Sequence, residues 1–233
     1  MARSGGAVQI NRAYLPDRRQ QPNVASALQM RWAQHVDQVP LGAPPELVAG
    51  CDVHLRGDLG RATIVVLRFP SLEVVEAVHG EATVSFPYVP GFLSWREIPP
   101  LAVAFGRLTV RPDVLFADGQ GIAHPRGFGL ACHLGLLSGL PALGCAKSIL
   151  RGEHPPLTEE RGAQAPLIYR SRVVGMAVRS KKRVKPLYVS VGHRITLDEA
   201  TDLVLRSGLK HRLPEPSRLA HLAAQGWARG DID

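Results

Sequence analysis

The chain has 233 residues, of which 45% are hydrophobic and 21% charged. This composition excludes a disordered chain and suffices for one sizeable core. The 28 lysines and arginines outnumber the 20 acidic residues and give a net charge of +8, which favours polyanionic partners such as nucleic acid or an acidic membrane surface. No run approaches the roughly 18 apolar residues of a membrane span, and the three cysteines form no CxxC pair. We therefore expect a cytoplasmic protein that does not enter a membrane.

The first half of the chain predicts a leader, a helix and three strands. Residues 1–21 are polar and arginine-bearing, and we expect a flexible basic leader there. Residues 23–36 then carry an apolar residue at every fourth position, typical of an amphipathic helix packed on the core: Val24, Leu28, Trp32 and Val36. Three strand patterns joined by tight turns follow, which predicts an antiparallel meander: 44–57, 61–70 and 72–84.

The second half alternates helices and strands. A proline-bracketed loop at 86–91 leads into a helical pattern over 92–108 that contains a Pro-Pro pair. Strand patterns lie at 113–118, 142–148, 166–180 and 185–195, and helical patterns at 127–139, 196–208 and 215–226. The order predicts one α/β domain over residues 22–233, with a mixed sheet of three antiparallel strands and then parallel strands, flanked by helices.

Three acidic residues lie in apolar surroundings. They are Asp52 within the first strand, Glu97 within the helix and Asp118 at the end of a strand. If the first and fourth strands are neighbours, Asp52 and Asp118 can meet, and Glu97 can reach them from the helix. A buried carboxylate needs a cation, a proton or strong donors. Three carboxylates without a cysteine ligand suit Mg²⁺ or Mn²⁺. Each acid alone also fits a structural role, in a turn, at a strand end or on an exposed helix face.

Several basic residues allow two interpretations. Lys147 closes an apolar strand, where it could stabilise phosphate charge or only keep its ammonium group in solvent. The run 179–185, "RSKKRVK", suits a nucleic-acid backbone contact but also a solvated hairpin tip. His124 follows Asp118 and could simply brace its loop, and His221 is a lone histidine in a helix.

Three motifs in order resemble the endonuclease V family, the deoxyinosine 3′ endonucleases. They are "FPYVPGFLSWRE", "DGQGIAHPRGFGLACHLG" and "GCAKS", and the similarity extends from "VAGCDVHL" to "RLPEPSRLAHLAA". The resemblance implies a ribonuclease H-like fold and hydrolysis of DNA near a deaminated base. The products would be a 3′ hydroxyl and a 5′ phosphate. It also implies that Asp52, Glu97 and Asp118 hold Mg²⁺, for which Mn²⁺ can substitute, while Lys147 and His221 assist catalysis.

The same resemblance implies a substrate site in the loops. Tyr88 corresponds to a wedge that enters the duplex, and the prolines on either side fix its loop. The extruded base would occupy a pocket built largely from backbone. The implied substrate-binding residues are Pro87, Tyr88, Val89, Pro90, Gly91, Leu93, His124, Gly129, Leu130 and Ala146. Gln120 departs from the family pattern beside Asp118 and could alter base preference.

Two other functions remain open from the sequence. One keeps the fold but changes the substrate to inosine-containing RNA or to branched and mismatched DNA. The other is a noncatalytic nucleic-acid-binding module that uses the +8 charge. The expected partner is double- or single-stranded DNA containing inosine, with RNA as a further possibility, and we expect a monomer.

Overall fold

A computed structural model describes residues 8–17 and 19–229, the last three of them by backbone alone. The described residues form an eight-stranded sheet with the strand order β3-β2-β1-β4-β5-β8-β7-β6. Its strands are β1 (Leu47–Arg56), β2 (Leu59–Arg68), β3 (Val74–Thr83), β4 (Val114–Ala117), β5 (Ala142–Ala146), β6 (Gln164–Tyr169), β7 (Arg172–Val178) and β8 (Leu187–His193). The α-helices are α1 (Pro22–Trp32), α2 (Leu93–Phe105), α3 (Leu130–Ser138), α4 (Leu197–Arg206) and α5 (Glu215–Arg229). Short 3-10 helices lie at Arg12–Tyr14 and Ala33–His35.

The sheet is mixed, which confirms the predicted fold class. Strands β1, β2 and β3 form the antiparallel meander, and β1, β4 and β5 are parallel neighbours. Strands β8, β7 and β6 then extend the sheet with antiparallel pairing. Every residue of β4 and β5 is buried, as expected of parallel strands covered on both faces. The sequence pattern at 166–180 is a hairpin of two strands, β6 and β7, rather than one.

Helices cover both faces of the sheet. On one face α2 and α3 pack against alternate residues of the central strands, such as Leu115 and Ala117. On the other face α4 and α5 pack against the intervening residues, such as Val114 and Phe116. Helix α2 continues through Pro99 and Pro100. No helix in the described ranges is long and apolar enough to cross a membrane.

Helix α1 packs on an aromatic cluster at one edge of the fold. Trp32 stacks on Trp95 of α2 with ring centroids 5.7 Å apart. Leu28 and Val36 also contact this cluster, but Val24 is 47% exposed, so its place in the predicted apolar stripe is wrong. Ala25 and Gln29 are buried instead. A strict four-residue spacing drifts around a helix of 3.6 residues per turn, and the buried face drifts away from Val24.

The described part of the predicted leader contacts the domain. The backbone N–H of Asn11 donates to the Leu137 carbonyl, and the Trp95 indole donates to Gln20 Oε1 at 2.6 Å. His133 Nε2 lies 2.7 Å from the Tyr14 carbonyl. This part is therefore packed on the fold rather than detached from it, whereas residues 1–7 and 18 lie outside the described residues.

The basic run 179–185 connects β7 to β8 as a hairpin loop. Two of its cations are paired with acids, Lys182 with Glu160 at 2.8 Å and Arg183 with Glu159 at 3.3 Å. This pairing offsets part of the positive charge that made the run a candidate nucleic-acid contact.

The packing of β1 against α5 predicts a large effect of a small substitution. A Cβ atom on Gly50 would lie 1.9 Å from the Pro216 carbonyl oxygen at the start of α5. Gly50→Ala should push α5 outward and cost about 1–3 kcal/mol of stability through overpacking. Thermal unfolding should then shift down by about 2–4 °C per kcal/mol. Gly42→Ala is the control, since no atom lies within 4 Å of its added Cβ. Equal unfolding temperatures for the two variants would contradict the proposed contact.

Candidate active site

The register of two parallel strands brings Asp52 and Asp118 together. Cys51 of β1 pairs with Ala117, the last residue of β4. The next residue in each segment is an aspartate, so Asp52, midway along β1, lies beside Asp118 at the carboxyl end of β4. Their side chains are largely buried, 13% exposed for Asp52 and 14% for Asp118. The pairing of β1 with β4 alone brings these two acids together, as the sequence predicts.

Each aspartate has one basic partner. Lys147 Nζ lies 2.5 Å from Asp118 Oδ2. His221 Nδ1, from α5, lies 3.1 Å from Asp52 Oδ2. Lys147 follows β5, which lies beside β4, so its ammonium reaches Asp118 from the neighbouring strand. Strand order and the placement of α5 thus assemble four of the five residues predicted to be catalytic.

The Gln225 amide supports the His221 ring from the next turn of α5. Gln225 Nε2 lies 2.9 Å from His221 Nε2. With the amide in this orientation, its nitrogen donates to Nε2, and Nδ1 carries the proton that it donates to Asp52. The imidazole is therefore oriented at both nitrogens.

Glu97 of α2 approaches the two aspartates without a protein donor of its own. It is half-buried, and none of the described residues donates a hydrogen bond to its carboxylate. Burial raises the pKa of Glu97 well above its ordinary value, and the negative charges of Asp52 and Asp118 raise it further. A half-buried carboxylate in this position needs a proton or a cation.

The same crowding of negative charge contributes to the raised pKa values of Asp52 and of the neighbouring Cys51 thiol. Burial is the main cause that raises the pKa of Asp52 from 3.8 to about 6, and the charge of Asp118 adds to it, while His221 opposes the shift. Burial also raises the pKa of the Cys51 thiol, with smaller contributions from Asp52 and Glu97. The three carboxylates therefore share one electrostatic environment that a cation would relieve.

The atoms available to a metal ion differ in one respect from the predicted ligand set. Ligand atoms of Asp52, Asp118 and His221 lie within 4.8 Å of one another. Glu97 lies outside this group, although its pKa shift places it within electrostatic range. Two carboxylates with a third nearby offer the oxygen donors that a hard divalent cation prefers. The residues present therefore fit a metal ion at this end of the sheet.

A cavity of about 370 Å³ opens beside the acids. Asp118 and Lys147 form part of its wall, so the acidic cluster and the cavity are contiguous. All but Pro87 of the substrate residues implied by the resemblance line it: Tyr88, Val89, Pro90, Gly91, Leu93, His124, Gly129, Leu130 and Ala146. Pro87 is exposed at the start of the same loop. Sequence reasoning did not place Gln29, Ser94, Gly119, Ser148 and Leu150 in this wall.

Residues 87–91 form an exposed loop between two buried aromatics, Phe86 and Phe92. Tyr88 projects from it with 77% of its surface exposed, which excludes packing of its ring on the core. Gly91 ends the loop with φ +82°, a left-handed conformation that favours glycine. We call residues 87–91 the wedge loop.

His124 braces its own loop, as one interpretation of the sequence predicted, and it also contacts the wedge loop. Its Nδ1 accepts from the Arg126 backbone N–H at 3.2 Å, so Nε2 carries the proton and donates to the Gly91 carbonyl at 3.0 Å. Burial is the main cause that lowers the pKa of His124 to about 4, and a neutral ring matches this donor pattern.

Gln120, the departure beside Asp118, is buried in the cavity wall. Its Nε2 donates to the Ser148 carbonyl at 2.8 Å, while its Oε1 has no hydrogen-bond partner among the described residues. The chain approaches itself closely here, since a Cβ on Gly129 would lie 2.2 Å from the Gln120 carbonyl oxygen. Only glycine fits at this point of the wall.

A family model described as endonuclease V matches residues 30–222 of this sequence. The chain belongs to the endonuclease V family. It is thus an endonuclease, an enzyme that hydrolyses phosphodiester bonds. Endonuclease V of Myxococcus xanthus is 48% identical over 213 residues, covering 90% of this chain and 91% of the relative. That of Roseiflexus castenholzii is 46% identical over 203 residues, with 87% and 91% covered.

Solved endonuclease V structures share the fold. The Streptomyces avermitilis protein aligns with a TM-score of 0.86 and 38% identity, covering 97% of this chain and 99% of that one. The human protein aligns with a TM-score of 0.80 and 35% identity, covering 90% and 99%. The Ciona intestinalis protein, solved with DNA containing an inosine followed by a ribo-adenosine, shows the same fold at 24% identity, covering 91% of this chain and all of that one, with a TM-score of 0.77.

The raised pKa of Asp52 predicts a pH-dependent stability without metal. Because the folded value is about 6 and the ordinary value 3.8, protonation of Asp52 favours the folded state. This stabilisation is complete below the lower value and is lost as the pH rises through about 6. Asp52→Asn imitates the protonated form. In EDTA, its unfolding temperature should match that of the parent near about pH 4 and exceed it near about pH 7.5.

Calorimetry of the parent, Asp52→Asn and Asp58→Asn tests this dependence. Asp58 is exposed in the β1–β2 turn, so its variant should track the parent at every pH. A constant difference between Asp52→Asn and the parent across the range would contradict the shifted pKa.

Proposed function

We propose that this chain is a Mg²⁺-dependent DNA repair endonuclease that recognises deaminated bases, chiefly deoxyinosine. It hydrolyses a phosphodiester bond on the 3′ side of the lesion and leaves a 3′ hydroxyl and a 5′ phosphate. One observation carries the proposal: Asp118 and Lys147 belong both to the acidic cluster and to the wall of the cavity. A base held in the cavity would therefore bring its own backbone phosphate to the acids.

Asp52, Glu97 and Asp118 would hold the Mg²⁺, for which Mn²⁺ can substitute. The fit rests on the crowding of their charges and on the Glu97 carboxylate, which lacks a donor from the described residues. When bound, the ion supplies Lewis acidity to the phosphate and makes a water molecule more acidic. Two carboxylates with raised pKa values would lose their protons as the cation binds, so metal affinity should weaken at acid pH.

Lys147 and His221 would act beside the metal ligands. The Lys147 ammonium, 2.5 Å from Asp118 and 40% exposed, can also face a phosphate oxygen and offset charge that develops there. His221 fixes the Asp52 carboxylate through Nδ1 and is itself fixed by Gln225. Both groups would thus order the acids, and both favour the ionised form of Asp52.

The wedge loop and the cavity would recognise the lesion. The exposed Tyr88 ring is free to enter a duplex and fill the space of an extruded base. The base would then be held between Gly91 and Leu93 on one side and Gly129, Leu130 and Ala146 on the other. A wall rich in glycine and backbone allows close approach to the edge of hypoxanthine.

The net charge of +8 suits a polyanionic substrate. We propose double- or single-stranded DNA containing inosine as the partner, with inosine-containing RNA as a second substrate to be tested, and a monomer as the active form. The cysteines at 51, 132 and 145 are free and buried, which suits the cytoplasm proposed from the sequence.

Removing one carboxylate should separate binding from cleavage. Asp118→Asn keeps the shape of the side chain but removes the charge that a cation and Lys147 need. It should bind an inosine duplex and lose at least about 100-fold in cleavage rate, the scale expected when stabilisation of transition-state charge is removed. Gel shift and single-turnover cleavage with Mg²⁺ measure the two quantities, with EDTA as the metal-free reference.

Asp58→Asn, the same change on an exposed turn, should cut like the parent. Mg²⁺-dependent cleavage by Asp118→Asn at the parent rate would refute the metal assignment. Cleavage of inosine DNA and undamaged DNA at equal rates would refute the proposed substrate. A matched RNA oligonucleotide with one inosine, cut faster than the DNA, would replace DNA by RNA as the substrate.

If Tyr88 acts as a wedge, its removal should weaken binding to double-stranded DNA more than binding to single-stranded DNA. Tyr88→Ala should weaken binding to an inosine duplex by about tenfold, because stacking on a base contributes about 1–3 kcal/mol. Single-stranded inosine DNA should be affected less, since no base pair must be opened. Tyr88→Phe keeps the ring and should behave like the parent in both titrations. Equal losses on the two substrates would argue against a wedge.

A further inference from the structure

Gln29 is a buried polar residue of α1 that no sequence pattern connects with the site. It is 1% exposed and contributes to the wall of the cavity. Helix α1 carries none of the acids, and its apolar residues pack on the aromatic cluster. A glutamine buried in such surroundings requires partners for its whole amide group.

Those partners come from the two loops that enclose the cavity. Gln29 Nε2 donates to the Gly91 carbonyl at 3.0 Å and to the Phe128 carbonyl at 3.2 Å. Gly91 ends the wedge loop, and Phe128 precedes Gly129 at the start of α3. The two N–H groups of one side chain therefore join the wedge loop to the segment that leads into α3, and both segments contribute residues to the cavity wall. This leaves no amide donor for another group.

Arg126 completes the arrangement on the other side of the amide. Its Nε donates to Gln29 Oε1, and its terminal nitrogen donates to the Gly91 carbonyl at 2.7 Å. Its guanidinium also lies over the Phe92 ring, 4.2 Å from the centroid. Gly91, with its left-handed φ, is thus held by donors from Gln29, His124 and Arg126.

We propose that Gln29 is a positioning residue, which fixes the wedge loop and residues 124–129 at the separation that a flipped base requires. It acts through the Gly91 and Phe128 carbonyls and takes no part in the chemistry at Asp52 and Asp118. A cavity formed before binding avoids the cost of ordering two loops on the substrate. This inference rests on the proposed function of the cavity in holding a base.

Two substitutions of Gln29 distinguish the hydrogen bonds that its amide nitrogen donates from the one that its oxygen accepts. Gln29→Met keeps the length and the helix propensity of the side chain but removes both donors and the acceptor. Gln29→Glu keeps an acceptor for Arg126, so α1 stays anchored, but it places carboxylate oxygens against two carbonyl oxygens. Both variants should therefore loosen the link between the two segments, with only His124 and Arg126 still donating to the Gly91 carbonyl. The Glu variant does so without loss of the contact between residue 29 and Arg126.

Gln20→Ala is the matched control. Gln20 is a second glutamine of the N-terminal region, and it accepts from the Trp95 indole at 2.6 Å rather than contacting either loop. Its loss removes a partly buried hydrogen bond of a glutamine side chain, so it reports the effect of weaker packing of the N-terminal region alone.

Hydrogen exchange and steady-state kinetics of the full chain test the proposal. In both Gln29 variants, amide exchange in 86–92 and 124–129 should become at least about tenfold faster, the factor that corresponds to 1.4 kcal/mol. KM for an inosine duplex should rise by a similar factor, with kcat changed by less than about twofold. Gln20→Ala should leave both loops and KM at the parent values.

Unchanged exchange and KM in a folded Gln29 variant would overturn the proposal, as would a fall in kcat at constant KM. If Gln29→Met does not fold, Gln29→Glu decides the question, because its Arg126 contact remains. A parent that shows no preference for inosine would refute the proposed function, while the exchange data would still decide whether Gln29 fixes the loops.

Discussion

The site depends on the close approach of carboxylates that two parallel strands and a helix hold together despite their mutual repulsion. The register of β1 with β4 places Asp52 beside Asp118, and α2 adds Glu97 to the same region. Burial and mutual repulsion raise the pKa values of Asp52 and Glu97, so the folded chain carries an unfavourable arrangement of charge. Lys147 and His221 relieve it only in part. Such an arrangement persists because the sheet and its helices fix it, and a cation is the partner that would relieve it.

In the proposed function, recognition and hydrolysis are joined because the cavity and the acidic cluster share a wall. Lys147 contacts Asp118 and borders the cavity, while the backbone after Asp118 turns at Gly119 and forms the next part of that wall. The wedge loop forms another part of the wall, and its carbonyl at Gly91 receives donors from three side chains. A displacement of this loop would therefore alter the cavity while the acids stay in place. The proposed function therefore implies that binding and chemistry can be changed independently, although both involve Asp118.

Much of this architecture was predictable from local pattern. The three strands of the meander, the buried strands β4 and β5 and the helices between them follow from apolar periodicity and turn residues. Asp52, Glu97 and Asp118 were conspicuous because each interrupts an apolar run. Val24 was assigned to the wrong face, since an apolar residue at every fourth position does not follow the 3.6-residue turn of a helix. No sequence pattern marks Gln29 as part of the cavity wall, because a polar residue in an amphipathic helix ordinarily faces solvent.

The sequence by itself determined the fold class, singled out the three acids in apolar surroundings and marked the proline-bracketed loop at 86–91, because these depend on periodicity and on residue types that stand out against their neighbours. Only the tertiary structure decided which groups meet. It placed ligand atoms of His221, rather than of Glu97, within 4.8 Å of those of both aspartates. It also paired two cations of the 179–185 run with acids and directed the Gln29 side chain toward the cavity wall. Contacts between residues far apart in the chain are set by strand order, register and helix packing, and spacing along a sequence carries no direct record of these.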